Sequence, residues 1–125
     1  MGAPLFDWSD YLRLAKQLSA HTDEASQGTS ISRAYYCIYH TALERAITNG
    51  YVDQQSHWKL WDIYHRNTRA CRKLYNIGSR MKKERVAADY DPAAARINAR
   101  MTAQLNWANN FLTQLSILAP GLPIP

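Results

Sequence analysis

Eight of the 15 Lys and Arg residues crowd into one stretch: Arg66, Arg69, Arg72, Lys73, Arg80, Lys82, Lys83 and Arg85, opposed there only by Glu84. At 100° per residue, Arg69, Arg72, Lys73, Asn76, Arg80 and Lys83 fall on one stripe of a helix. Such a stripe can track a phosphate backbone, where each contact releases counterions and makes binding salt-dependent. The alternative is a solvated helix face, which most charged stripes are. Arg85 lies off this stripe, one turn before Asp89, with Tyr90 next. The pair is either a helix-end ion bridge worth a few tenths of a kcal/mol or a guanidinium oriented by Asp89 to hold a phosphate. A second polar strip, Arg33, Cys37, His40 and Glu44, runs along an otherwise apolar helix.

The remaining reactive side chains do not assemble into a known chemistry. His57 and His65 are eight positions apart, not the four that place two metal ligands side by side on a helix. His21 falls in a linker and His40 among core residues. Ser32 and Cys37 have no base at an obvious spacing, so nucleophilic catalysis has no support. No Gly-rich phosphate loop, nucleophile elbow or Cys/His zinc pattern occurs, and neither a metal nor a cofactor is expected.

The elements that must position these residues read as five helices. Asp7 caps a first helix with Trp8, Tyr11, Leu12, Ala15 and Leu18 on one side, ending near Ala20. Thr22 or Asp23 caps the second, which spans Glu24 to Thr48 with Gly28 as an internal weak point. Its segment Ile31–Ile47 is apolar almost all round, the mark of a helix in the middle of a domain. Asn49-Gly50 stops it. Ser56 opens a third helix with His57, Leu60, Trp61 and Tyr64 aligned. After a break at Asn67-Thr68 the fourth runs over Arg69–Ala88, with Ala70, Leu74, Ile77, Met81 and Ala88 as its core face. Asp91-Pro92 marks the next boundary. The last helix reaches about Leu118, and PGLPIP follows as an irregular tail. The expected architecture is an all-α, five-helix up-and-down bundle forming a single domain over residues 1–125.

Composition sets outer limits. Hydrophobic content of 46% with 20% charged residues is ordinary for a globular domain with a real core. No apolar run approaches a membrane span, and the acidic start MGAPLFDWSD lacks the layout of a signal peptide, so a cytoplasmic setting is expected. The two cysteines, Cys37 and Cys71, are expected to be reduced and structural. A net charge of +5 allows an anionic partner without requiring one.

Two segments carry a family resemblance. SRAYYCIYH, Ser32–His40, resembles the Ser-Arg-Ala-Tyr-Tyr-x-x-aromatic-His stretch in the second helix of small prokaryotic HEPN domains. IGSRMKKERVAADYD, Ile77–Asp91, is similar to the later helix of that group, which often ends Arg-x-x-Ala-Asp-Tyr. The resemblance covers most of the chain. It implies a HEPN-like helical bundle that pairs into a homodimer with a cleft between helices. It also implies a toxin–antitoxin or antiviral defence setting. In active HEPN ribonucleases the cleft holds an Arg and a His a few residues apart on one helix, and RNA is cut without metal. This sequence departs from that pattern: counting from Arg85, the histidine should fall at Asp89, Tyr90 or Asp91, and no histidine follows His65. An ionised Asp is a poor acid and Tyr a poor base near neutral pH, so a binding cleft is easier to support than a ribonuclease.

Three functions follow as expectations. The first is a HEPN-like interaction protein that binds RNA or a nucleotide-bearing partner, its cleft formed by Arg33, Tyr36, His40, Arg85, Asp89 and Tyr90. Arg69, Arg72, Lys73, Arg80 and Lys83 would then form an outer electrostatic track. The second is a divergent metal-independent endoribonuclease using Arg85 with Tyr90 or His40. The third is a structural subunit docking a larger protein, such as a component of a defence complex. By resemblance, a cognate nucleotidyltransferase is a further partner, with Tyr90 as its acceptor.

Overall fold

Capping side chains set where several of the helices begin. In the computed structural model, which describes residues 7–90 and 96–125, Asp23 adopts extended backbone and its carboxylate accepts the Ser26 amide at 2.9 Å. That bond satisfies one orphan amide donor of the first turn. Helix α2, Glu24–Thr48, starts there and runs unbroken through Gly28. It ends at Asn49, and Gly50 follows with φ of 105°, a left-handed turn only glycine enters without cost. Ser56 caps α3, His57–His65, by accepting the Lys59 amide at 3.2 Å. Helix α1 spans Ser9–Leu18, shorter than the expected end near Ala20. Asp7 bonds the Ser9 amide and hydroxyl rather than an amide deeper in the first turn.

Helix α4 covers Arg69–Tyr90 and α5 covers Ile97–Ser116. No strand occurs among the described residues, and no described helix is long and apolar enough to cross a membrane. Helix α2 is the hub: α1, α4 and α5 all pack on it, while α3 packs chiefly on α4. Its face of Ile31, Ala34, Tyr35, Ile38, Ala42 and Ala46 is fully buried, as its apolar pattern requires. Three buried polar groups tie the helices together. Ser30 Oγ donates to the Ala15 carbonyl at 2.7 Å, and Tyr64 Oη to the Ala42 carbonyl at 2.8 Å. Gln104 Nε2 donates to the carbonyls of Met81 at 3.0 Å and Ile31 at 3.3 Å, joining α5 to α4 and α2. Each bond contributes about 1 kcal/mol net and would cost more if broken on one side only.

The structure corrects the expected core of α4 by one position. Ala70 is exposed and Cys71 is the buried residue of that turn, followed by Leu74, Ile77, Gly78 and Met81. Both cysteines are free and buried, and burial pushes the Cys37 thiol up to about 11. The Asp91-Pro92 boundary lies outside the described residues. Helix α5 opens instead on Arg96 in a left-handed conformation, with no side-chain cap. The PGLPIP tail has no regular structure, yet it is anchored. Pro123 is fully buried, and Arg45 donates to the carbonyls of Leu115, Leu118, Ala119 and Leu122. Asn67 closes a two-way pair with Ile124, donating to its carbonyl and accepting its amide.

Candidate functional site

Two motifs that are distant in the sequence meet where α2, α3 and α4 converge. Tyr35 is buried on α2, and its hydroxyl lies 2.6 Å from His57 Nδ1 at the start of α3. Trp61 Nε1, one turn further along α3, donates to the same hydroxyl at 3.1 Å. An indole N–H can only donate, so the Tyr35 hydroxyl accepts from Trp61 and keeps its own proton available for His57 Nδ1. In the tautomer where Tyr35 donates to Nδ1, neutral His57 carries its own proton on Nε2. Burial, with Lys82, Arg85 and His40 adding positive potential, lowers His57 to about 4. Burial raises Tyr35 well above the usual phenol range. At neutral pH both groups are therefore uncharged.

The ring of His57 is stacked on Tyr39, centroids 3.8 Å apart and planes within 7°. Burial likewise pushes Tyr39 up to about 12. Tyr36 meets His57 edge-on at 6.2 Å. Arg85 reaches this cluster from α4. Its guanidinium carbon sits 5.4 Å from the Tyr36 ring centroid and 5.8 Å from that of Tyr35. The side chain is only 14% exposed, and Asp89 holds it from one helical turn away at 3.3 Å. Its Nε is buried without a partner among the described residues. The arginine of this pair is largely buried while its carboxylate partner stays in contact with solvent, unlike a helix-end bridge exposed at both ends.

Gly78 makes this arrangement possible. A Cβ placed there would come within 2.5 Å of the Trp61 indole. Without it α4 closes onto the ring, and Trp61 is fixed where it can reach Tyr35.

The other expected cleft residues separate into two groups. His40 is stacked on Trp8 at 3.7 Å, planes within 11°, and stands 6.1 Å from Tyr36 at the end of the same aromatic strip. Burial lowers its pKa, with Glu44 and Asp53 opposing the shift. Trp8 Nε1 also donates to Glu44 at 2.8 Å. Arg33 lies over the Tyr11 ring at 5.3 Å, with its Nε buried. Tyr90 is elsewhere: it is 77% exposed and lines an open groove of about 610 Å³ with Ser79, Lys82, Lys83, Val86 and Ala87. Arg69, Arg72, Lys73, Arg80 and Lys83 are all exposed along α4, as the helical wheel requires. Among the described residues no cluster of three or more His, Cys, Asp or Glu could hold a metal ion.

Sequence reasoning missed His57. The sequence shows it as half of an unsuitable metal pair with His65 and as one of the aligned residues of the third helix, whereas its partners sit 22 positions upstream on α2 and far downstream on α4. Its position directly after a capping serine, opening a helix, was the one available signal.

Comparison of this chain with family models, with curated proteins and with solved structures returns no match.

Proposed function

We propose that this chain is a HEPN-like protein that pairs into a dimer and binds RNA, or a nucleotide-bearing partner, through the Arg85–His57 cluster. The setting is a cytoplasmic toxin–antitoxin or antiviral defence module. One observation carries the reading. A guanidinium held among aromatic rings and the imidazole of neutral His57 stand on the same aromatic patch, a cation and a neutral hydrogen-bonding group suited to one phosphate. Tyr36 between them offers a ring face for a base. A neutral imidazole whose Nδ1 is already engaged is a weak base, which favours binding over cleavage.

A gel-shift assay with EDTA, using a mixed pool of structured and single-stranded RNA, tests the reading. The expected result is intact RNA, retarded in a salt-dependent manner, with Arg85→Ala weakening retention about tenfold. Wild-type protein that retards no RNA overturns it.

A second reading, a metal-independent endoribonuclease, draws support from the same imidazole, since a histidine does stand beside Arg85 although it comes from another helix. It predicts strand scission that persists in EDTA and vanishes in both Arg85→Ala and His57→Ala. Uncut RNA in the wild-type lane removes it.

A further inference from the structure

The opposite flank of α4 carries a second constellation. Arg80 lies over the indole of Trp107 on α5, its guanidinium carbon 5.1 Å from the ring centroid. Trp107 is only partly buried, and Arg80 is exposed. These two side chains line both of two cavities along the α4–α5 seam, of about 410 Å³ and about 390 Å³. The first cavity continues over Lys73, Asn76, Ile77 and Gln114. The second continues over Glu84, Arg96, Arg100 and Gln104. The two form one trough with the Arg80–Trp107 stack at its centre.

The trough has the composition of a binding site for a single nucleic-acid strand. Its walls carry Lys73, Arg80, Arg96 and Arg100 against one acid, Glu84, which bonds Arg100 at 2.7 Å. A cationic channel of this kind follows a phosphate backbone. The half-buried Trp107 ring beside the Arg80 guanidinium offers an aromatic surface on which any base can stack. On the floor, Gln104 is 1% exposed and spends its amide N–H groups on Ile31 and Met81. Its Oε1 is buried with no partner among the described residues.

We infer that the α4–α5 trough holds a single-stranded RNA segment, with one base on the Arg80–Trp107 stack and flanking phosphates on Lys73 and Arg96. This rests on the RNA-binding reading above and adds a second contact surface to it. The α4 basic stripe is then one wall of a trough whose other wall is α5. A duplex does not fit the role, because its bases are already stacked on one another.

The test is fluorescence anisotropy of a labelled single-stranded 12-mer RNA and of the same sequence as a duplex, over a salt series. The variants are Trp107→Ala, Arg96→Glu and, as reference for the other site, Arg85→Ala. Trp107→Ala should weaken single-strand binding by about fivefold or more and leave duplex binding nearly unchanged. Arg96→Glu is at an exposed position and does not threaten folding, so it keeps the test decisive if Trp107→Ala unfolds. It should lower affinity and flatten the salt dependence. If both bind like wild type while Arg85→Ala loses binding, the trough inference is overturned and the RNA-binding reading stands. If wild type binds neither RNA, both fall. If Trp107→Ala or Arg96→Glu changes the oligomeric state on a sizing column but not RNA affinity, the trough is a contact between copies and the inference is wrong.

Discussion

The two flanks of α4 are built on opposite principles. Toward α2 and α3, Arg85 is taken out of water, fixed by Asp89 and two tyrosine rings, beside a histidine held by the Tyr35 hydroxyl that Trp61 also bonds. Toward α5, Arg80 and Lys73 stand in solvent and the seam between the helices is left open. Preorganised donors cost stability when disturbed, and they present a ligand with one fixed geometry. Exposed cations on a trough cost almost nothing to mutate, and they recognise charge rather than shape. The same helix therefore offers a specific site and a tolerant one. Charge count along the sequence does not distinguish them; burial does.

The sharpest way to break this contrast is Gly78→Ala. The new Cβ would meet the Trp61 ring, and overpacking of this kind costs about 1–3 kcal/mol. Urea unfolding should show that loss, and an unchanged midpoint would mean the α3 flank is as yielding as the α5 flank. Next comes Tyr35→Phe, which strands the Trp61 N–H and frees His57 Nδ1. Leaving buried polar groups unpaired costs about 1–3 kcal/mol. The same change removes a bond to the neutral imidazole, so NMR titration should find the His57 pKa closer to its ordinary value.

A pH series sharpens the contrast further. The fold holds His57 at about 4 against an ordinary 6.5, so the unfolded chain takes up a proton first. Stability from this group is complete above pH 6.5 and is lost as pH falls toward about 4. The thermal midpoint of wild type should drop faster across that window than that of His57→Gln. Parallel curves would sink the idea of a locked neutral imidazole. The smallest effect is expected on the open flank. Lys73→Ala should leave stability within about 0.5 kcal/mol of wild type while reducing the salt slope of RNA binding by roughly 1.

Much of the fold was legible because helix ends and faces are local. Asp23, Ser56 and the Asn49-Gly50 stop each act within a few residues, and the helices begin and end on them. The one-residue slip from Ala70 to Cys71 arose where α4 is too polar in its first turn for an apolar face to be read. The site was less legible, since its decisive contacts join residues that no spacing connects. Tyr35 and His57 are 22 positions apart, and Arg80 pairs with a tryptophan on the next helix. The Arg85–Asp89 pair was visible as a local contact, but the burial of Arg85 depends on Tyr35 and Tyr36 from α2. Nothing local in the sequence marks Trp107, and only the packing of α5 leaves it half-buried against Arg80.

Arg45 has a consequence for how the chain reaches this structure. Its guanidinium gathers the Leu115 carbonyl at the negative end of α5 and those of Leu118, Ala119 and Leu122 just beyond it, from a position 70 to 77 residues earlier in the chain. Closing so long a loop gives up entropy before any bond forms, whereas α3 and α4 meet across a short connection. Docking of the α5 terminus therefore belongs to the last part of folding. Arg45→Met should speed unfolding and leave the refolding rate nearly unchanged, a φ-value near zero; a φ-value near one would put this latch in the nucleus instead. On that kinetic reading, Arg45 governs how long the folded state lasts rather than how quickly it forms.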